Sequence, residues 1–236
     1  MVAAGSTVLV VEDERKVRDL VRDCFESEGF GVLTTGSGAE AITLVERSSP
    51  DLIVLDLRLP DVPGEEVARE VRRVSQVPIL MLTAKAAAQE RIAGLELGAD
   101  DYVTKPFSPR ELILRAEAIL RRGGAAADAG DGRTSYGGGV LVIDRESREV
   151  TVRGLTVPLT PTQYGLLVAL ARVPGRVYSR YELVNRVRGY EFEGYERTID
   201  AHVKNLRRKL ERDPHEPELV LTVLGGGYRL GVHRDD

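Results

Sequence analysis

The sequence predicts a doubly wound α/β half followed, after a glycine-rich break, by a smaller α+β half. Three observations carry this. Up to residue 122, five short apolar runs alternate with five amphipathic stretches. Residues Gly123–Gly139 are mostly glycine, alanine and small polar residues. Beyond them, short strands, three helical patterns and a closing hairpin follow one another without the earlier alternation.

In the first half the strands read β1 (7–11), β2 (32–34), β3 (51–55), β4 (77–82) and β5 (101–103). Between and after them come helical patterns α1 (15–28), α2 (37–47), α3 (64–73), α4 (88–97) and α5 (109–121). Strands separated by helices imply parallel βαβ units. Ser108-Pro109-Arg110-Glu111 is the signature of a capping box with proline in the first turn, and opens α5.

The run 123–138 is expected to be a flexible linker, since glycine and small residues bury too little to order themselves. After it, strands are expected at 140–144, 149–153 and 156–159. Thr160–Gln163 and Ser179–Glu182 are two more capping boxes, starting helices that end at Pro174-Gly175 and near Val187. A longer helix spans 197–210 with Ile199, Val203, Leu206 and Leu210 on one face. Two strands, 219–222 and 228–231, form a hairpin around Gly225-Gly226-Gly227.

A chain of 236 residues accommodates two domains of ordinary size, 1–122 and 139–236, each with its own core. No apolar run approaches the ~18 residues of a membrane span. The segment Met1–Glu14 lacks the basic start of a signal peptide, so the cytoplasm is expected. Cys24, the single cysteine, excludes an intrachain disulfide and reads as a small core residue. Residues 1–122 carry a formal charge of −5 and residues 123–236 carry +1, with +4 concentrated in 197–212. A basic helical stripe suggests a polyanion partner, although alone it is more often a solvated face.

Functional side chains gather at strand ends: Glu12 and Asp13 after β1, Asp56 after β3, Thr83 after β4 and Lys105 after β5. In a doubly wound sheet these ends share one edge, where ligands bind. Crowded carboxylates take up protons unless a cation lies among them, and oxygen donors suit Mg²⁺. A carboxylate beside such a cation attacks a phosphoryl donor, with Lys105 steadying the developing charge and Thr83 placed to meet the phosphoryl oxygen. One aspartate at a strand end is usually a solvated turn residue; five such residues at matching ends are not.

The segments VLVVEDE, DLIVLDLRLPDVPG, PILMLTA and GADDYVTKPFSPREL resemble the receiver domain of bacterial response regulators over nearly all of 7–122. The resemblance implies a five-stranded sheet in the order 2-1-3-4-5, Asp56 as phosphoacceptor and a sensor histidine kinase as donor. It further implies Mg²⁺ held by Glu12, Asp13, Asp56 and the Arg58 backbone carbonyl, a cis Lys105–Pro106 bond, and Thr83 with Tyr102 as a switch pair. A haloacid-dehalogenase-like phosphatase is the enzymatic rival, but it wants a second acid where this chain has Arg58. Gly225-Gly226-Gly227 lacks the Lys-Ser/Thr of a P-loop.

YSRYELVNRVRG, ERTIDAHVKNLRRKL and LTVLGGGYRL resemble the winged helix-turn-helix effector of the OmpR/PhoB subfamily over about 140–232. Helix 197–210 would be the recognition helix, with Arg197, Thr198, His202, Lys204, Asn205 and Arg208 as its DNA-contacting residues. Arginine and asparagine suit guanine and adenine edges, while lysine and threonine commonly meet phosphate. The loop Gly189–Tyr195 would face RNA polymerase, and the hairpin would be the wing. Two departures stand out: Leu224 replaces a common basic residue of the wing, and Arg188 a common tryptophan.

The subfamily resemblance also implies a phosphorylation-dependent homodimer through the α4–β5–α5 face, pairing Arg91 with Glu111, Asp101 with Arg115 and Asp100 with Arg122. Glu117 would face Glu96 there, an acid against an acid. The expected function is thus a two-component transcription regulator acting on promoter DNA. Its alternatives are an orphan regulator that binds DNA without phosphorylation, and a phosphate-handling enzyme with a basic accessory domain.

Overall fold

A computed structural model describes residues 6–83, 95, 97–124, 132–188 and 196–235, without the side chains of 122–124, 188, 196 and 197. The chain divides into two compact units, 1–121 and 122–236.

In the first unit, β1 (Thr7–Val11), β2 (Gly31–Thr35), β3 (Leu52–Asp56), β4 (Ile79–Thr83) and β5 (Asp101–Thr104) form one parallel sheet in the order β2-β1-β3-β4-β5. Every residue of β3 and β4 is buried, which is why LIVL and ILML are apolar throughout and do not alternate, with Asp56 and Thr83 closing the two strands. Helices α1 (Arg15–Ser27), α2 (Gly38–Ser48), α3 (Gly64–Val74) and α5 (Pro109–Gly124) follow the expected order. The expected α4 lies, apart from Leu95 and Leu97, outside the described residues. Val10, Phe25, Val54, Leu82, Val103 and Leu112 belong to one buried cluster, with Cys24 packed partly buried against it.

Register then does the positioning. Val11 pairs with Leu55, Asp56 with Leu82, and Thr83 with Thr104, so the chemistry-bearing residues emerge along one edge. Gly64 is needed beside them: a Cβ there would stand 2.3 Å from the Asp56 carbonyl oxygen. At α5 the Glu111 carboxylate accepts from Arg115 one turn on, at 2.7 and 3.0 Å.

The second unit begins earlier than the sequence suggests. Arg133–Tyr136, inside the expected linker, is a strand, β6, paired antiparallel with β7 (Leu141–Asp144). Two inward residues, Thr134 and Tyr136, suffice to anchor it; Tyr136 is buried and donates to the Ala171 carbonyl. Such a short alternation among glycines carries almost no periodic signal. Strands β8 (Val150–Val152) and β9 (Leu155–Thr156) complete the sheet, β9 being shorter than expected.

Helices α6 (Pro161–Ala171), α7 (Arg180–Arg188) and α8 (Glu196–Leu210) follow, then the hairpin β10 (Val220–Val223) and β11 (Gly227–Leu230). Both capping boxes form. Thr160 and Gln163 exchange bonds at α6, and Ser179 and Glu182 do so at α7. Gly227, at φ +125°, lets the hairpin cross Tyr178, whose carbonyl oxygen would lie 2.1 Å from a Cβ. Among the described residues no helix is long and apolar enough to cross a membrane.

Candidate functional site

At the carboxyl edge of the parallel sheet, Glu12 and Asp56 are buried and Asp13 is exposed, and each offers an oxygen within 4.8 Å of the others. The Lys105 ammonium donates to Glu12 Oε2 and to Asp56 Oδ2, both at 2.6 Å. Lys105–Pro106 is a cis bond. The Arg58 N–H donates to Asp56 Oδ1 at 3.1 Å. Thr83 ends β4 and Tyr102 lies on the neighbouring β5, both buried.

Burial pushes Glu12 up to about 7, with the Asp56 charge adding to it against the opposing bond from Lys105. For Lys105, burial works against the ammonium, but the bonds and charges of Asp56 and Glu12 outweigh it and raise its pKa. Two buried acids therefore share one ammonium. Such a set of hard oxygen donors matches what Mg²⁺ requires.

Along this edge Asp61 also matters, and sequence reading passed over it. Its carboxylate accepts from the Ser37 hydroxyl and from the Gly38 and Ala39 amides at the start of α2, at 2.7, 2.9 and 3.1 Å. The loop that follows Asp56 is thereby tied to the first turn of α2. The turn-forming Pro-Asp of LPDVPG is its only local signal.

Of the residues expected at the α4–β5–α5 face, Asp100, Asp101 and Arg115 turn inward. Asp101 and Arg115 meet each other within the chain at 3.1 Å, both out of water, and Arg115 also holds Glu111. Asp100 was expected to face Arg122 of a second copy. Its carboxylate is instead 1% exposed, at 2.9 Å from Arg72 and accepting from the Ile79 amide. Arg72 further donates to the carbonyls of Gly98 and Val77, so the cluster pins α3 to the β4 and β5 starts. Arg91, Glu96 and the Arg122 side chain lie outside the described residues.

In the second unit α8 is the helix expected to meet DNA. Lys204 and Arg208 are exposed. Thr198, His202 and Asn205, expected to contact DNA, are buried. A helix packed against both α6 and α7 buries a wider face than its apolar stripe alone. Arg197's side chain and the loop 189–195 lie outside the described residues.

Not all of the basic stripe faces outward. The Arg207 guanidinium donates to the Val220 carbonyl at 2.6 and 2.8 Å and to the Thr222 hydroxyl at 2.8 Å. Lys209 donates to the Pro158 carbonyl at 2.8 Å. Both are anchors between α8 and its neighbours, which the sequence pattern does not reveal. Asp200 accepts from Arg180 at 2.7 Å and from the Tyr228 hydroxyl at 2.6 Å, joining α7, α8 and β11. Leu224, at the tip of the hairpin, is 95% exposed.

Residues 8–117 match the response regulator receiver domain family, and residues 154–230 match the family described as transcriptional regulatory protein, C terminal. The sensory transduction protein RegX3 of Mycolicibacterium smegmatis is 43% identical over 225 residues, covering 95% of this chain and 99% of that one. The transcriptional regulatory protein ResD of Bacillus subtilis is 42% identical, covering 95% of each chain. Among solved structures, a C128D mutant of RitR aligns over 96% of this chain and 99% of its own, with a TM-score of 0.75 at 26% identity. The Thermotoga maritima regulator DrrB, described as an OmpR/PhoB homolog, aligns over 95% of this chain and 98% of its own with a TM-score of 0.50 at 29% identity. A parallel 2-1-3-4-5 receiver, a winged-helix effector and two matching families over most of the chain lead to one conclusion: this protein belongs to the OmpR/PhoB-type two-component response regulators, DNA-binding transcription regulators and not enzymes.

Proposed function

We propose that this regulator is switched by phosphorylation of Asp56, donated by a sensor histidine kinase in the cytoplasm. The observation that carries the proposal is Lys105, held at 2.6 Å from both Asp56 and Glu12 beside the three-carboxylate cluster. Mg²⁺ would be held by Glu12, Asp13, Asp56 and the Arg58 carbonyl, and when bound it neutralises charge on the phosphoryl oxygens. An Asp56 carboxylate oxygen forms the new P–O bond as the donor's P–N bond breaks and its imidazole departs, taking a proton. Lys105 then shifts its bonds toward the phosphoryl oxygens. Thr83 follows them, and Tyr102 responds to the Thr83 movement, which biases a two-state receiver toward its active form.

Activation would pair two receivers through α4–β5–α5 and so raise the local concentration of two effectors on adjacent promoter half-sites. Glu111, with Arg91 and Arg122, would supply charges for that face, Asp101 and Arg115 being paired within the protomer. On DNA, exposed Lys204 and Arg208 support contact through α8, and Arg197 is assigned to the same surface. The loop 189–195 is assigned to RNA polymerase. Residues 1–122 and the winged helix would fold independently of each other.

The test is direct. Full-length protein incubated with acetyl phosphate and Mg²⁺ is expected to gain one phosphoryl group by intact mass and to footprint promoter DNA more tightly, and Asp56→Asn is expected to gain none. Undiminished phosphorylation of the Asp56→Asn chain would overturn the assignment.

A further inference from the structure

The two acids that follow β1 are held from behind. The Arg18 Nη1 atom, on α1, donates to the Glu12 carbonyl at 2.5 Å and to the Asp13 carbonyl at 3.1 Å. Glu12 is thus fixed on both sides of its backbone, because its N–H also donates to the Thr35 carbonyl at 3.0 Å.

The second of these bonds reaches the pocket. A trans peptide is planar, and its C=O and N–H point in opposite directions. In the Asp13–Glu14 peptide the carbonyl is turned to Arg18, and the N–H donates to Glu12 Oε1 at 3.4 Å. The other oxygen, Glu12 Oε2, is the one that accepts from Lys105. Arg18 therefore sets the plane of the peptide that holds one carboxylate oxygen, while Lys105 holds the other. Gly36, in the turn before α2, leaves room for this: a Cβ there would stand 2.8 Å from Arg18 Nη1.

We propose that Arg18 is a positioning residue for the divalent-cation site, acting through the Glu12 and Asp13 carbonyls to orient both carboxylates toward Asp56. The inference rests on the Mg²⁺ reading given above. Arg18 would act through those carbonyls and not as a ligand. A guanidinium near an acidic pocket could have a second effect of opposite sign, since its charge competes with a cation, and the direction of the change separates the two.

The full chain is titrated with Mn²⁺, free ion being read by electron paramagnetic resonance, and Mg²⁺ is used to compete it off. Arg18→Gln is expected to weaken both ions roughly tenfold, the scale of losing a partner that orients a ligand, and Arg18→Lys to recover part of the loss. Gly36→Ala, which keeps arginine but displaces its guanidinium, is expected to weaken binding in the same direction and serves if Arg18→Gln does not fold. Unchanged or tighter binding in folded Arg18→Gln, or in Gly36→Ala if it does not fold, overturns the positioning role. A wild-type chain that binds neither ion, or binds as well with Asp56→Asn, overturns the cation site itself.

Discussion

Asp101 and Arg115 face each other at 3.1 Å inside one protomer, and neither is more than 1% exposed. A pair so placed supports the fold of the receiver before it can support any dimer. Breaking a buried ion pair by removing one partner costs about 3–5 kcal/mol, because the other charge is left without compensation. Asp101→Ala should therefore destabilise the monomeric, unmodified chain by an amount of that order in urea denaturation. If the variant unfolds at the wild-type midpoint and loses only dimer formation, the pair belongs to the interface and not to the protomer.

Asp61 yields a pH dependence with a definite sign. Its carboxyl is held well below the usual carboxylate range, first by the Ser37 hydroxyl and then by the Gly38 and Ala39 amides. A depressed folded pKa stabilises above the unfolded value of about 3.9, and that stabilisation is lost as pH falls through the folded value. Asp61→Ala should lower the melting temperature at pH 7, and the gap to wild type should narrow only below about pH 4. A gap that closes between pH 5 and 7 would contradict the assignment.

Two basic residues of α8 should separate cleanly. Arg207 is bonded to Val220 and Thr222, so Arg207→Ala should destabilise the chain by about 1–3 kcal/mol, since the buried Val220 carbonyl loses a charged donor. Lys204 is exposed, so Lys204→Ala should weaken DNA binding across sequences, reducing the salt slope by about one. Denaturation curves and binding isotherms at several salt concentrations decide it, and equal salt slopes for Lys204→Ala and wild type would refute the second half.

Leu224 stands almost fully in solvent at the hairpin tip, where an apolar side chain gains nothing from the negative potential of a narrow minor groove. Leu224→Arg should tighten binding at sites with A·T flanks and steepen the salt dependence by about one. Equal gains at G·C-flanked controls would show that the new charge acts without groove readout.

Much of this protein is determined by short stretches of its own sequence. The apolar runs of β3 and β4, the capping boxes at Thr160 and Ser179, and the glycines of the hairpin report local backbone preferences and burial, which a few neighbouring residues suffice to specify. The pocket is legible for a related reason: in a doubly wound sheet every strand ends at the same edge, so Glu12, Asp56, Thr83 and Lys105 are collected by topology alone. Tertiary packing decided the rest. Asp100 is turned inward by Arg72, twenty-eight residues before it in the chain, and Arg207 and Lys209 are drawn out of the basic stripe by Val220 and Pro158. A charged side chain looks the same in sequence whether it meets water, DNA or a buried carbonyl. Which of these it meets depends on desolvation and on partners brought near by the fold, and neither is written in the residues beside it.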